Sequence, residues 1–223
     1  MRTTSTKSTV LLCLALVAPL CACFPEPPPT TTRDVKEVAK NALSTLEQLV
    51  SEENYKRLGF RSLDEVRRAT IGEPLPVSMV RFDELAEYQR DQDPRPLIHP
   101  TPQTFAPVLV DGEVRSSMIV HPTRVDGTLT VGGFGGPALI RALETARRQS
   151  IRQTGRPASD YFDVEVSALL RHFVAYREEN QVLLIPIFDD DRLDFRAGQT
   201  MRAQDVFARL VPEALRDMAD KPS

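Results

Sequence analysis

The sequence predicts an α+β fold in which antiparallel sheet is packed with helices and preceded by an amphipathic helix. Three observations carry that expectation. Val35, Val38, Ala39, Ala42, Leu46, Leu49 and Val50 recur at three-and-four spacing, which puts one apolar stripe on a helix. "FAPVLVDGEVRSSMIVHP" (105–122) sets Asp111-Gly112 between two β-rich runs, the pattern of a two-residue hairpin with positive φ at both turn positions. Pro137 opens "PALIRALETARRQSIRQ", an amphipathic run whose first position tolerates a residue with no amide hydrogen.

In chain order, the first helix is expected over 34–56, with Thr31 and Asp34 spaced as a capping box. A short second helix follows Ser62, with Glu65 as its capping partner, and ends near Gly72 and Pro74, closing a helical segment at 34–72. "PVSMVRF" reads as a strand and "DELAEYQ" as a turn or two of helix. Residues 89–104 hold Pro94, Pro96, Pro100 and Pro102 without periodicity, which predicts a long loop, functional or mobile. The hairpin comes next, then a second turn at Asp126-Gly127, a strand at "TLTVGGF" and the Pro137 helix. "TGRPAS" (154–159) reads as a linker. Beyond it, "DYFDVEVSALL", "HFVAYRE" and "QVLLIPIFDD" read as strands with a helical piece near Ala168. A last helix starts near Arg202 and is interrupted at Pro212. The order strand, short helix, hairpin, strand, helix thus recurs at 73–153 and 160–218, so two tandem copies of one α+β unit are expected.

The chemistry-bearing residues are sparse. Gly133, Gly135 and Ala138 match G-x-G-x-x-A between a strand and a helix, and amides around Gly133, Gly135 and Gly136 are placed to meet an anion at a helix start. The preceding strands form a meander and not a βαβ unit, so a tight turn with glycines for positive φ explains the motif better. His99, His121 and His172 stand far apart without ligands at metal spacing, and the acids at 189–194 lack the glycine of a calcium loop, so no metal and no cofactor is expected. Neither G-x-S-x-G nor S-x-x-K occurs after the leader, and no pair of carboxylates singles itself out as catalytic.

One charge feature remains. Arg141, Arg147, Arg148, Arg152 and Arg156 gather in one helix and its exit, with Glu144 the only acid among them. Arg141, Arg148 and Arg152 share a helix face, which a solvated surface near a helix C-terminus explains better, with a contact to phosphorylated glycan, anionic lipid or an acidic partner as the alternative. The chain carries 28 Lys+Arg and 31 Asp+Glu, a net charge of −3, which argues against general nucleic-acid binding.

The leader is more specific. Arg2 and Lys7 precede an apolar run from Val10 to Ala22, too short to span a bilayer and of the length of a signal-peptide core. It ends in Leu20-Cys21-Ala22-Cys23, an apolar residue, two small ones and a cysteine. The window Ala18-Pro19-Leu20-Cys21 fits less well, since proline and leucine stand where small residues belong. In this region the chain resembles the bacterial lipoproteins. The resemblance implies loss of residues 1–22 and lipidation of Cys23, and an ordinary cleaved signal is the alternative. It implies a membrane anchor facing the periplasm, and Phe24 in place of the retaining aspartate points to the outer membrane. In "PEPPPTTT" Pro25, Pro27, Pro28 and Pro29 lack amide donors and fix φ, so residues 23–33 are expected to form an extended tether of roughly 30 Å. The expected function is an anchored, non-catalytic binding or scaffolding module that meets an envelope protein or an anionic glycan or lipid. A tethered periplasmic enzyme is the alternative.

Overall fold

The computed structural model describes residues 31–219. The leader, the window ending at Cys23 and tether residues 24–30 lie outside the described residues. Thr31 caps α1 (Thr32–Asn41) as the sequence predicts: its hydroxyl accepts from the Asp34 amide and the Asp34 carboxylate accepts from the Thr31 amide, each at 3.2 Å. Thr32 and Arg33 are therefore helical and not tether. α2 (Leu43–Leu49) continues the apolar stripe, burying Leu46 beside Val35 and Ala39. The helix expected to reach residue 56 stops at Leu49. There Asn54 accepts from the Ser51 amide at 2.9 Å and donates to the Leu49 carbonyl at 2.8 Å, offering the backbone a turn in place of the next helical bonds.

α3 (Leu63–Arg67) forms where expected, but Ser62 makes no capping bond. Glu65, its predicted partner, accepts from the Arg61 amide at 2.7 Å and from the Arg115 guanidinium at 3.3 Å. The remaining elements are β1 (Thr70–Ile71), β2 (Leu75–Val80), α4 (Phe82–Glu87), β3 (Ile98–Val110), β4 (Glu113–Pro122), β5 (Leu129–Gly135) and α5 (Pro137–Thr154). After them come β6 (Tyr161–Val166), β7 (Arg171–Glu178), β8 (Gln181–Pro186), β9 (Met201–Arg202) and α6 (Ala203–Ala219), with Pro212 inside α6.

The fold is α+β. The strands form one sheet in the order β5-β4-β3-β2-β6-β7-β8-β9, with β1 also paired to β3. Every pairing is antiparallel except β2 with β6, so the sheet is mixed and not antiparallel throughout. The long crossover from β2 to β6, which includes α5, makes a parallel neighbour possible. Each side of this pair continues as a meander: β3, β4 and β5 on one side, β7, β8 and β9 on the other. The two tandem copies expected from the sequence are not established: a three-residue 3-10 turn (Ser167–Leu169) stands where the first half has α4, β3 has 13 residues against eight in β7, and β5 has seven against two in β9.

The proline-rich stretch read as a loop is half strand. β3 begins at Ile98, and β4 joins it only at Thr104↔Val120. At Pro100 and Pro102 the β4 side is therefore open, and on that side a missing amide removes no ladder bond. The Asp111-Gly112 turn is as expected, with φ of 53° and 79°.

Alternation along the strands divides the core between the two faces. α5 covers one face, packing on Leu75, Tyr161, Val174, Tyr176 and Ile185. On the other, α1 to α3 cover Ala106, Val108, Val110, Met118 and Val120, while α4 and α6 cover Val164, Phe173 and Leu184. No helix among the described residues is long and apolar enough to cross a membrane.

Candidate functional site

α5 has the sheet on one side and a charged cleft along another. Leu143 and Ala146 face the core. Arg141, Glu144, Thr145 and Arg148, at offsets of three, four and seven, line a cleft of about 380 Å³ with Glu113, Val114 and Arg115 of β4 and with Gly59 and Arg61. Gly59 makes that closeness possible. Its φ is +97°, and an added Cβ would stand 2.0 Å from the Arg115 carbonyl and 2.7 Å from the Pro137 Cβ. Only a residue without a Cβ lets the 59–61 segment pass so near to β4 and the head of α5 and bring Arg61 to the cleft.

Four arginines and two glutamates line this space, an excess of positive charge in an acidic chain. Arg115 is 7 % exposed and pairs with buried Glu65 at 3.3 Å. Arg148 donates to the Gly112 carbonyl at 3.1 Å. The Glu144 carboxylate is bonded by Arg147, which also donates to the carbonyls of Glu73 at 2.7 Å and Pro74 at 3.1 Å. Burial pushes Glu144 up and Arg147 down, against their mutual attraction. Arg61 and Arg141 are exposed, and among the described residues their guanidinium groups have no ion pair or hydrogen bond.

The arginines singled out in the sequence are thus sorted. Arg141 and Arg148 come together in the cleft. Arg152 is exposed and does not line it, because the cleft closes at the hairpin one turn earlier. Arg147 is a buried strut, and Arg156 pairs with Glu178 at 2.7 Å while lying 5.1 Å from the Tyr176 ring centre. The acidic run at 189–194 likewise meets arginines: Asp190 pairs with Arg171 and Asp191 with Arg196, each at 2.6 Å.

Gly133, Gly135 and Gly136 go to a different place, a cleft of about 330 Å³ at the head of α5. Gly135 and Gly136 have φ of 132° and 61°, and Ser117 donates to the Gly135 carbonyl at 2.7 Å. They make a strand-to-helix turn at the end of a meander, and not the phosphate loop of a βαβ unit. The same cleft holds Glu165 and His172. His172 Nδ1 lies 3.0 Å from Oδ2 of Asp163, which is fully buried. Burial raises the Asp163 pKa. Burial alone would lower that of His172, but the hydrogen bond from Asp163 and the charges of Asp163 and Glu165 outweigh it, and the net shift is upward. The other histidines are elsewhere: His99 bonds Glu84 and His121 bonds the Pro122 carbonyl.

Sequence reasoning missed Arg61, Arg115 and the Asp163–His172 pair. Arg61 and Arg115 reach the cleft through long-range packing that leaves no local pattern. The pair had a signal: Asp163 and Glu165 alternate with apolar residues in "YFDVEV", so two acids share one face of a strand that is otherwise core. No protein-family model, no curated protein and no solved structure matches the chain.

Proposed function

We propose that the chain is a membrane-anchored lipoprotein of the bacterial envelope, held through Cys23, whose folded part is a non-catalytic binding module facing the periplasm. Its ligand is an anionic group of an envelope protein, glycan or lipid, held in the arginine-lined cleft beside α5. The leader and its Leu20–Cys23 window support the anchor. One observation carries the binding site: among the described residues Arg61 and Arg141 are guanidinium groups without an ion pair or hydrogen bond, lining the same cleft as Arg115 and Arg148. Arginine forks match phosphate and carboxylate in a bidentate manner. A tether raises the local concentration of the partner, so weak contacts are enough.

The experiment is in-cell crosslinking from a photoreactive residue at Thr145, comparing the native chain with Arg61→Gln/Arg141→Gln/Arg148→Gln. The native chain should capture a partner that the triple variant loses, and the non-covalent binding of that partner to the uncrosslinked chain should weaken as salt rises above roughly 0.15 M, where the Debye length is about 8 Å. An unchanged partner set in a folded variant would contradict the proposal. The Asp163–His172 pair favours a second reading, a tethered periplasmic enzyme, because a carboxylate that orients an imidazole is a general-base arrangement. Among the described residues no nucleophile is bonded to His172 Nε2.

A further inference from the structure

We propose that the cleft at the head of α5 is a second binding site, taking an organic ammonium with an apolar body, read by the Glu165 carboxylate beside the Asp163–His172 pair. This inference is independent of the arginine-lined cleft. The cleft has an apolar wall from Phe105, Ile119 and Leu139, and a polar wall from Gln103, Ser117 and Glu165. Among the described residues no lysine or arginine lines it. Glu165 is only partly buried, and among the described residues its side chain has no hydrogen bond or ion pair. It stands directly across from His172 in the β6–β7 ladder.

Asp163 holds Nδ1 of His172, so among the described residues Nε2 is the ring nitrogen left without a partner. The other carboxylate oxygen of Asp163, Oδ1, is buried and unbonded among the described residues. Charge then decides the ligand class. With Asp163 ionised, a protonated His172 makes a neutral pair and Glu165 leaves the cleft at −1; loss of that proton makes it −2. The head of α5 opposes this with a dipole of only about half a charge, and Pro137 removes one of its donors. The full charge wins, and a cation is the complement.

The groups that bear on His172 are few. Asp163 and Glu165 come from β6, Gln103 from β3, Ser117 from β4, and α5 contributes only apolar side chains to the cleft. Arg171 is engaged by Asp190 and Glu213, and His99, two strands from Glu165 across β2, is held by Glu84. Binding of an ammonium should therefore tighten as pH rises and His172 loses its proton. The expected gain is about five- to tenfold, the size of a like-charge contact at roughly 6 Å in a dielectric between the protein-surface and bulk values.

The test is calorimetric titration of the full chain with cyclohexylammonium, cyclohexanecarboxylate and cyclohexanol, at about pH 5.5 and about pH 8.5, either side of the ordinary histidine value. The ammonium should bind tightest and bind better at the higher pH. Glu165→Gln should weaken it at least tenfold and leave cyclohexanol unchanged. His172→Gln should remove the pH dependence, and Arg61→Gln/Arg141→Gln should change nothing here. A preference for the carboxylate, an ammonium affinity indifferent to Glu165→Gln in a chain that melts normally, or no binding by any of the three would overturn the proposal.

Discussion

Arg147→Met isolates the strut that holds α5 above the arginine-lined cleft. Arg147 is 2 % exposed, and its guanidinium satisfies the Glu144 carboxylate and the carbonyls of Glu73 and Pro74. Methionine keeps much of the buried stem and removes every donor. What remains is a buried carboxylate without its hydrogen-bonded partner, with only the longer-range charge of Arg148 beside it, in a setting where breaking a buried pair costs about 3–5 kcal/mol. The two orphaned carbonyls add to this, and partial repacking subtracts, so the expected loss is about 4 kcal/mol. For a domain of this size that is a fall of about 8–16 °C in Tm. The loss depends on pH with a definite sign. Burial already raises the Glu144 pKa, so in the variant Glu144 escapes by taking a proton at low pH and must be buried charged at high pH. Urea unfolding followed by far-ultraviolet circular dichroism should therefore show a larger deficit at about pH 8 than at about pH 5. Glu144→Leu combined with Arg147→Met should recover most of the stability, because an apolar pair replaces a desolvated ionic one. A loss below about 1 kcal/mol, the range of an exposed pair, would refute the reasoning.

Gly59→Ala should both destabilise the chain by several kcal/mol (about 2–4) and weaken anion binding, since its Cβ would overlap the Arg115 carbonyl and displace Arg61; thermal melts and a binding titration check the two effects. Asp163 and His172 both have folded pKa values above their ordinary ones, so the stability they contribute is present at low pH and lost as pH rises through the folded values. Tm should fall across that rise in the native chain, should still fall in His172→Gln because buried Asp163 keeps a raised pKa and loses the partner that lowers it, and should flatten only in Asp163→Asn/His172→Gln; a Tm that climbs in the native chain would contradict the assignment. Cys23→Ala should abolish palmitate labelling and leave the longer, unprocessed chain, whereas Cys21→Ala should leave the label in place.

The parts of the fold legible in the sequence are those with local causes. Asp111-Gly112, Pro137 and the Thr31–Asp34 box each specify their own turn or cap, and each forms where the residues place it. The misreadings arise where a partner distant in sequence decides. Pro100 and Pro102 read as loop until β2 on one side and an open edge on the other make a strand tolerable. The helix over 34–56 ends at Leu49 because the Asn54 side chain competes for its backbone. The candidate site divides in the same way. The spacing of Arg141 and Arg148 was readable, but the burial of Arg147, the exclusion of Arg152 and the arrival of Arg61 past Gly59 depend on how α5, β4 and the 59–61 segment pack.

The most direct test of the central claim is to follow the arginine side-chain Nε–Hε resonances of the full chain by NMR as inorganic pyrophosphate is added at low and at physiological salt. The account predicts shifts at Arg61 and Arg141, smaller shifts at Arg148, none at Arg152, and effects that shrink as the Debye length falls from about 30 Å at 0.01 M to about 8 Å at 0.15 M. Shifts confined to Arg152, or none at Arg61 and Arg141 at the lower salt, would contradict it.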